Sequence, residues 1–113
     1  GILVGVLGLA YRAGVAETRA SPGIDVCERL AERGATVYAA DPLVDADGVP
    51  AADVAIADLP ETGLDAAALA AAHEEFAAID WPAFDPLVVV DGRDALDLSD
   101  TDHRQYTVGR GWQ

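Results

Sequence analysis

The sequence has no lysine, no methionine, a single cysteine and few aromatic residues. One cysteine excludes an internal disulfide and any cysteine-based zinc site. Positive charge is equally scarce. The seven bases are all arginines (Arg12, Arg19, Arg29, Arg33, Arg93, Arg104 and Arg110), set against 20 acids for a net charge of −13. Such a surface repels phosphate backbones over most of its area, which argues against DNA or RNA as a partner. No apolar run approaches the roughly 18 residues of a membrane span, so no membrane is expected as a partner. No basic segment leads into a long apolar stretch, so no secretory signal is expected, and the expected location is the cytoplasm.

What is present is a chain able to fold. Hydrophobic residues make up 51% of its 113 positions, enough to bury a core and to argue against disorder despite the charge. The length fits one domain spanning 1–113. Fourteen of the 20 acids are aspartate, and alanine fills 23 positions. Aspartate excess with no lysine fits a protein built for a salty cytoplasm, and a halophilic archaeal source is the expectation. At about 1 M salt the screening length falls to ~3 Å and self-repulsion fades. The alternatives are an ordinary acidic soluble domain, or GC-rich coding that favours arginine and alanine.

The chain opens on Ile2–Leu7, an apolar run that reads as a central parallel strand. Starting a domain directly on such a strand suggests that sequence once lay upstream. After a loop from Gly8 to Gly14, Ser21-Pro22 forms a helix start, with Ser as N-cap and Pro at the first helical position. Ile24, Cys27, Leu30 and Ala31 recur at helical spacing, and Asp25 and Arg29 pair at i, i+4. Gly34 stops the helix. Thr36–Ala40 reads as a second strand ending at Asp41-Pro42. Strand, helix and strand in this order make a right-handed parallel βαβ unit. Asp53–Ala57 reads as a short third strand, Glu74–Ile79 as a short helix, and Leu87–Val90 as another buried strand. Leu64–Ala72 reads as helix on propensity, because alanine is the best helix former. The expected fold class is α/β, a Rossmann-like three-layer sandwich with a mainly parallel sheet of about five strands and flanking helices.

Several sites can be rejected. Gly5-x-x-Gly8 lacks the full dinucleotide fingerprint, and Asp41 lies too far along the chain. Asp45-Ala46-Asp47-Gly48 fails as a calcium loop, because its twelfth position is Ile56 rather than glutamate. Asp97, Asp100 and Asp102 read as acidic surface. Cys27 lies mid-helix on the apolar face, where a buried neutral thiol is the ordinary state. Nothing in the spacing brings His73 to it, and His73 reads as structural.

Six stretches in order carry a resemblance. Gly8-Leu9-Ala10-Tyr11-Arg12 followed by Arg19-Ala20-Ser21-Pro22 resembles the opening G-L-[AS]-[FY]-K and R-x-S-P of the C-terminal domain of the UDP-glucose/GDP-mannose dehydrogenase family. Gly34–Val37 and Tyr38–Pro42 look like its second strand. His73–Phe76 is similar to its H-x-E-F, Val88–Arg93 to its V-V-D-G-R, and Tyr106 with Gly109–Gly111 to its closing glycine-rich segment. The resemblance places a strand at Ala66–Ala72, against propensity, and replaces a family helix by a shorter link at Asp58–Asp65.

The resemblance implies an enzyme that oxidises the C6 alcohol of a nucleotide sugar to a carboxylate in two NAD-dependent steps. The N-terminal domain binds NAD, a central region carries the catalytic cysteine, and this chain binds the nucleotide end and closes the cleft. The implied partners are a nucleotide sugar, the upstream domains and other copies in a homo-oligomer; the isolated chain is expected to be inactive. Arg12 stands where the family has lysine and is implied to face the diphosphate, an ordinary surface arginine being the alternative. Tyr11 supports the nucleotide or packs locally. Arg19 is implied to reach NAD, or to pair with Glu17 or Asp25. Ala16-Glu17 replaces an acidic pair of the family. Arg93 is implied to contact substrate, or to pair with Asp94 or Asp91. UDP-glucose, UDP-N-acetylmannosamine and GDP-mannose remain open as substrates. A stand-alone flavodoxin-like interaction or regulatory module is the alternative function.

Overall fold

A computed structural model describes residues 2–9, 22–43, 46, 48–71, 73–93, 95–96, 98, 101–108 and 111–112. One sheet organises them. Its strands are β1 (Leu3–Leu7), β2 (Thr36–Ala40), β3 (Ala52–Asp53), β4 (Ala66–Leu69), β5 (Val88–Asp91), β6 (Arg104–Thr107) and β7 (Gly111–Trp112). The order across the sheet is β3-β2-β1-β4-β5-β6-β7, with every pairing parallel except β6 with β7. This is the order of a Rossmann sheet with one antiparallel strand added at the edge. Seven strands replace the expected five or so. The tail supplies β6 and β7, and the third strand is reduced to two residues pairing with Tyr38 and Ala39.

The helix α1 (Pro22–Glu32) crosses one face. Ile24, Val26, Cys27 and Leu30 pack there against Val6, Val37 and Ala39. Asp25 and Arg29 meet on the wet side at 3.0 Å, as their spacing requires. At the helix end, Gly34 N–H donates to Ala31 O and Ala35 N–H to Leu30 O, with Gly34 at φ +88°. That reciprocal pair is a Schellman stop, and the left-handed backbone explains the glycine.

The opposite face carries 3-10 helices at Ile56–Glu61 and Trp81–Ala83 and the single-turn helix α2 (Glu74–Ala77). Leu59, Phe76, Trp81 and Phe84 pack there with Leu7, Leu69 and Val89. The three layers are therefore as expected. The segment Ile56–Glu61 corrects the reading of Asp53–Ala57 as strand, and Glu74–Ile79 keeps only one helical turn. His103 ties this layer to the sheet: its Nδ1 accepts from Leu87 N–H at 3.1 Å, and its Nε2 lies 2.7 Å from the Trp81 carbonyl. With Nδ1 accepting, Nε2 is the ring nitrogen that donates to the Trp81 carbonyl.

Ala66–Leu69 is strand, as the resemblance implies and propensity denies. It lies between β1 and β5, pairing Val4–Leu7 on one side and Val88–Asp91 on the other. A helix there would leave both neighbouring ladders unpaired in the sheet interior, a cost far above a helix preference worth tenths of a kcal/mol per residue. Alanine also fits the space, since Gly5 opposite Ala67 is already crowded by Leu64.

Candidate nucleotide-sugar site

The order in which strands are added reverses between β1 and β4, which run parallel. From β1 the chain moves outward to β2 and β3, then crosses back to β4 and continues to β5 and β6. The crevice at the carboxyl ends of these two strands is where open α/β sheets bind ligands. The residues there are Gly8 and Leu9 after β1, Asp41 after β2, Ala70, Ala71 and His73 after β4, and Asp91, Gly92 and Arg93 at the end of β5.

Glycines set the spacing of this edge. Gly8, at φ +107°, lies so close to Ala71 that a Cβ would come within 2.7 Å of the alanine Cβ. A Cβ on Gly23 would fall 1.8 Å from the Gly8 carbonyl oxygen. The first turn of α1 is thus pressed onto the end of β1. Leu9 and Pro22, the described residues on either side of 10–21, both lie at this switch point.

Two buried aspartates hold the loops. Among the described acids nearly all lie on the surface; only the Asp41 and Asp91 carboxylates are withdrawn from water. Burying a carboxylate is costly unless its oxygens are hydrogen-bonded. Asp41 accepts from Leu9 N–H at 2.7 Å and Leu43 N–H at 2.8 Å, and His73 Nε2 lies 3.5 Å from the same oxygen that Leu9 uses. Asp91 accepts from Arg93 N–H at 2.9 Å and from Ala95 and Leu96 N–H at 2.8 Å each.

Arg93 crosses from β5 to β4. Gly92 N–H donates to Leu69 O at 3.1 Å, and Arg93 Nε donates to Ala70 O at 3.0 Å. The close approach needs glycine at 92, where a Cβ would lie 2.9 Å from the Leu69 carbonyl. The exposed guanidinium is thereby anchored through Nε at the rim of the crevice. Asp91 meets Arg93 through its backbone N–H, not as an ion pair, and Asp94 lies outside the described residues. Of the described arginines, Arg29 and Arg33 end α1 and Arg104 begins β6, where its guanidinium sits 4.6 Å over the Trp112 ring. Arg93 is the described arginine at the carboxyl edge. Tyr11, Arg12 and Arg19 lie outside the described residues, as do Asp97 and Asp100; Asp102 is exposed surface.

The described residues of the edge do not form a dinucleotide cradle. The space beside Gly8 is filled by Ala71, that beside Gly23 by the Gly8 carbonyl, and the Asp41 carboxylate is committed to backbone N–H groups. The described residues therefore do not fit NAD as a Rossmann ligand held on its own glycine turn. No group of three or more metal-ligating side chains occurs among them. No helix among them is long and apolar enough to cross a membrane.

Residues 5–98 match the sequence pattern of the UDP-glucose/GDP-mannose dehydrogenase family, UDP binding domain. The chain belongs to this family. It is 31% identical to a UDP-glucose 6-dehydrogenase of Rickettsia bellii, in an alignment covering 94% of this chain and 27% of that protein. Its structure is similar to a UDP-glucose dehydrogenase from the hyperthermophilic archaeon Pyrobaculum islandicum, with TM-score 0.81 and 29% identity over 100% of this chain and 26% of that one. It is also similar to a UDP-D-ManNAc dehydrogenase from Pyrococcus horikoshii, with TM-score 0.78 and 27% identity over 97% and 26%. The chain thus spans about a quarter of the length of these relatives.

Within this UDP-binding domain, Cys27 and His73 are far apart in role. Cys27 is fully buried in the α1 cluster, whereas His73 packs edge-on against Phe76 in the opposite layer. Burial pushes the Cys27 thiol up to about 11; its backbone amide works the other way and the Glu28 charge adds to the rise. A thiol held protonated is a poor nucleophile. Because the folded value is raised, the folded chain is stabilised by the neutral thiol below about pH 9 and loses that stability as pH rises toward 11. Unfolding midpoints should accordingly fall between pH 9 and 11 in the native chain and fall less in Cys27→Ala; equal slopes would contradict the assignment.

Sequence reasoning placed Arg93 at a strand end but missed what holds it. The Ala70 carbonyl leaves no trace in residue identity. The second polar group behind Asp91, Gln105, had a signal only in hindsight: it is polar on a strand whose Tyr106 faces outward.

Proposed function

We propose that the chain is the nucleotide-sugar-binding domain of an NAD-dependent nucleotide-sugar 6-dehydrogenase, which oxidises the sugar C6 alcohol to a carboxylate for polysaccharide precursors. The observation that carries this reading is an anchored guanidinium, Arg93, at the switch point of a UDP-binding-domain fold. Arginine engages a phosphate or sugar hydroxyl with directed N–H donors, and its charge does not depend on pH. Arg12 and Tyr11, which lie between Leu9 and Pro22 in the sequence, complete the diphosphate and nucleotide contacts in this reading, and Arg19 serves NAD. NAD itself supplies the hydride acceptor and is held by other domains of the parent polypeptide, in keeping with the poor fit of this edge. The parent works as a homo-oligomer in the cytoplasm.

The named relatives act on UDP sugars, which favours uridine diphosphate over guanosine diphosphate. Calorimetric titration tests this. The chain alone should bind UDP weakly and GDP more weakly still, and should not reduce NAD with UDP-glucose. GDP binding tighter than UDP, or robust NAD reduction, would overturn the reading.

The exposed acids support a further part of the proposal, adaptation to a salty cytoplasm. The melting temperature should rise between 0.1 and 3 M KCl as screening removes repulsion among the surface carboxylates. A flat or falling curve would contradict it.

A further inference from the structure

Strand β6 is built inside out. Its buried positions are Gln105 and Thr107, while Tyr106 on the other face is 37% exposed. An amphipathic strand normally points its apolar residues inward, and the neighbours of Gln105 include the buried Leu96 and Leu98. A glutamine buried to 4% exposure must satisfy both ends of its amide. Gln105 Nε2 donates to Leu96 O at 3.0 Å and to Thr107 Oγ1 at 3.3 Å, with Asp91 Oδ2 at 3.5 Å. Its Oε1 accepts from Leu98 N–H at 3.4 Å. The amide therefore grips the segment after Arg93 by a carbonyl and an N–H two residues apart. It also lies against the same Asp91 oxygen that takes the N–H groups of Ala95 and Leu96.

The chain of contacts runs to the rim. Gln105 fixes Leu96 and Leu98; Leu96 and Ala95 fix one Asp91 oxygen; the other oxygen fixes Arg93 N–H, and Arg93 Nε reaches Ala70 O. A leucine at 105 would fill the same space with no such consequence. We propose that Gln105, acting through Asp91, is a positioning residue that sets the Arg93 guanidinium at the nucleotide-sugar site. This rests on the functional reading above and names a determinant of that same site.

A double-mutant cycle on UDP binding tests it, because residues acting as a unit are not additive. Gln105→Leu should weaken UDP binding about 5-fold in the native chain and leave it nearly unchanged in the Arg93→Ala background. Equal losses in both backgrounds would mean that Gln105 only supports the fold, and would overturn the proposal. A second readout needs no ligand. The Arg93 Nε–H proton should exchange slowly in the native chain and at least ~10-fold faster in Gln105→Leu, with the amides of Val6 and Val89 unaffected. Unchanged Nε–H exchange would also overturn it. If Gln105→Leu does not fold, Gln105→Asn keeps the amide but is one methylene too short to reach Leu96 O, and the same two outcomes apply. Absence of UDP binding by the native chain would count against the functional reading, while the exchange measurement would still decide the role of Gln105.

Discussion

Gly23→Ala should cost the chain about 3 kcal/mol or more, because overpacking against atoms that cannot yield lies at or above the usual 1–3 kcal/mol. The added methyl would sit 1.8 Å from the Gly8 carbonyl oxygen and 3.0 Å from its carbon. Neither partner can retreat. Gly8 N–H is bonded to Ala40 O at 2.9 Å, and Gly8 is wedged against Ala71. The helix would have to lift from β1, exposing Cys27 and loosening Ile24 and Leu30 from Val6 and Val37. A melting temperature lower by roughly 10 °C is expected for a domain of this size. Gly48→Ala is the control: Gly48 has φ +77° and nothing within 4 Å, so only the left-handed backbone penalty of about 1 kcal/mol applies. Equal losses in the two variants would show that the contact between α1 and the end of β1 is not as tight as described.

Arg93→Ala should weaken UDP-sugar binding about 10-fold, the lower end of what a charged hydrogen bond contributes, because this guanidinium faces water. Stability should change by less than about 1 kcal/mol, since one exposed hydrogen bond to Ala70 O is lost and no packing is disturbed. Arg93→Lys keeps the charge but loses the fork geometry that allows one N–H to hold Ala70 O while others face the ligand. It should recover only part of the affinity. A binding constant unchanged in Arg93→Ala would remove Arg93 from the site. A loss of binding that tracks a loss of stability would assign it to the fold instead.

Which parts of this were readable from residues follows from physics. β1, β2 and β5 announce themselves as nearly unbroken apolar runs, as in Leu3–Leu7 and Val88–Val90, although β5 is buried on one face only: Val89 is buried and Val90 is 37% exposed. β4 does not, because four short residues carry little β preference; its state is decided by ladders on both sides, which lie more than 20 residues away in sequence. β6 escapes because its alternation is inverted, polar inward, in service of Asp91. The short β3 and the 3-10 segment Ile56–Glu61 escape because an edge strand of two residues has no period to detect. Arg93 was legible as a cation at a strand end. Its support was not, because Ala70 contributes only a carbonyl and Gln105 acts from 14 residues beyond Asp91. Asp41 and Asp91 were legible as strand-end residues of the matched motifs; that their carboxylates are buried and hold loop N–H groups was not.

We propose that nucleotide-sugar recognition uses the carboxyl edge between β1, β4 and β5. The most direct measurement is an amide chemical-shift titration of the chain with UDP-glucose up to ~10 mM, enough to populate a millimolar complex. Shifts should concentrate at Leu9, Ala70, Ala71, Gly92 and Arg93, with the Arg93 Nε–H resonance moving along with them. Shifts confined to the far layer around Ile56–Pro60 and Ala78–Asp80, or no shifts at the highest concentration, would contradict it.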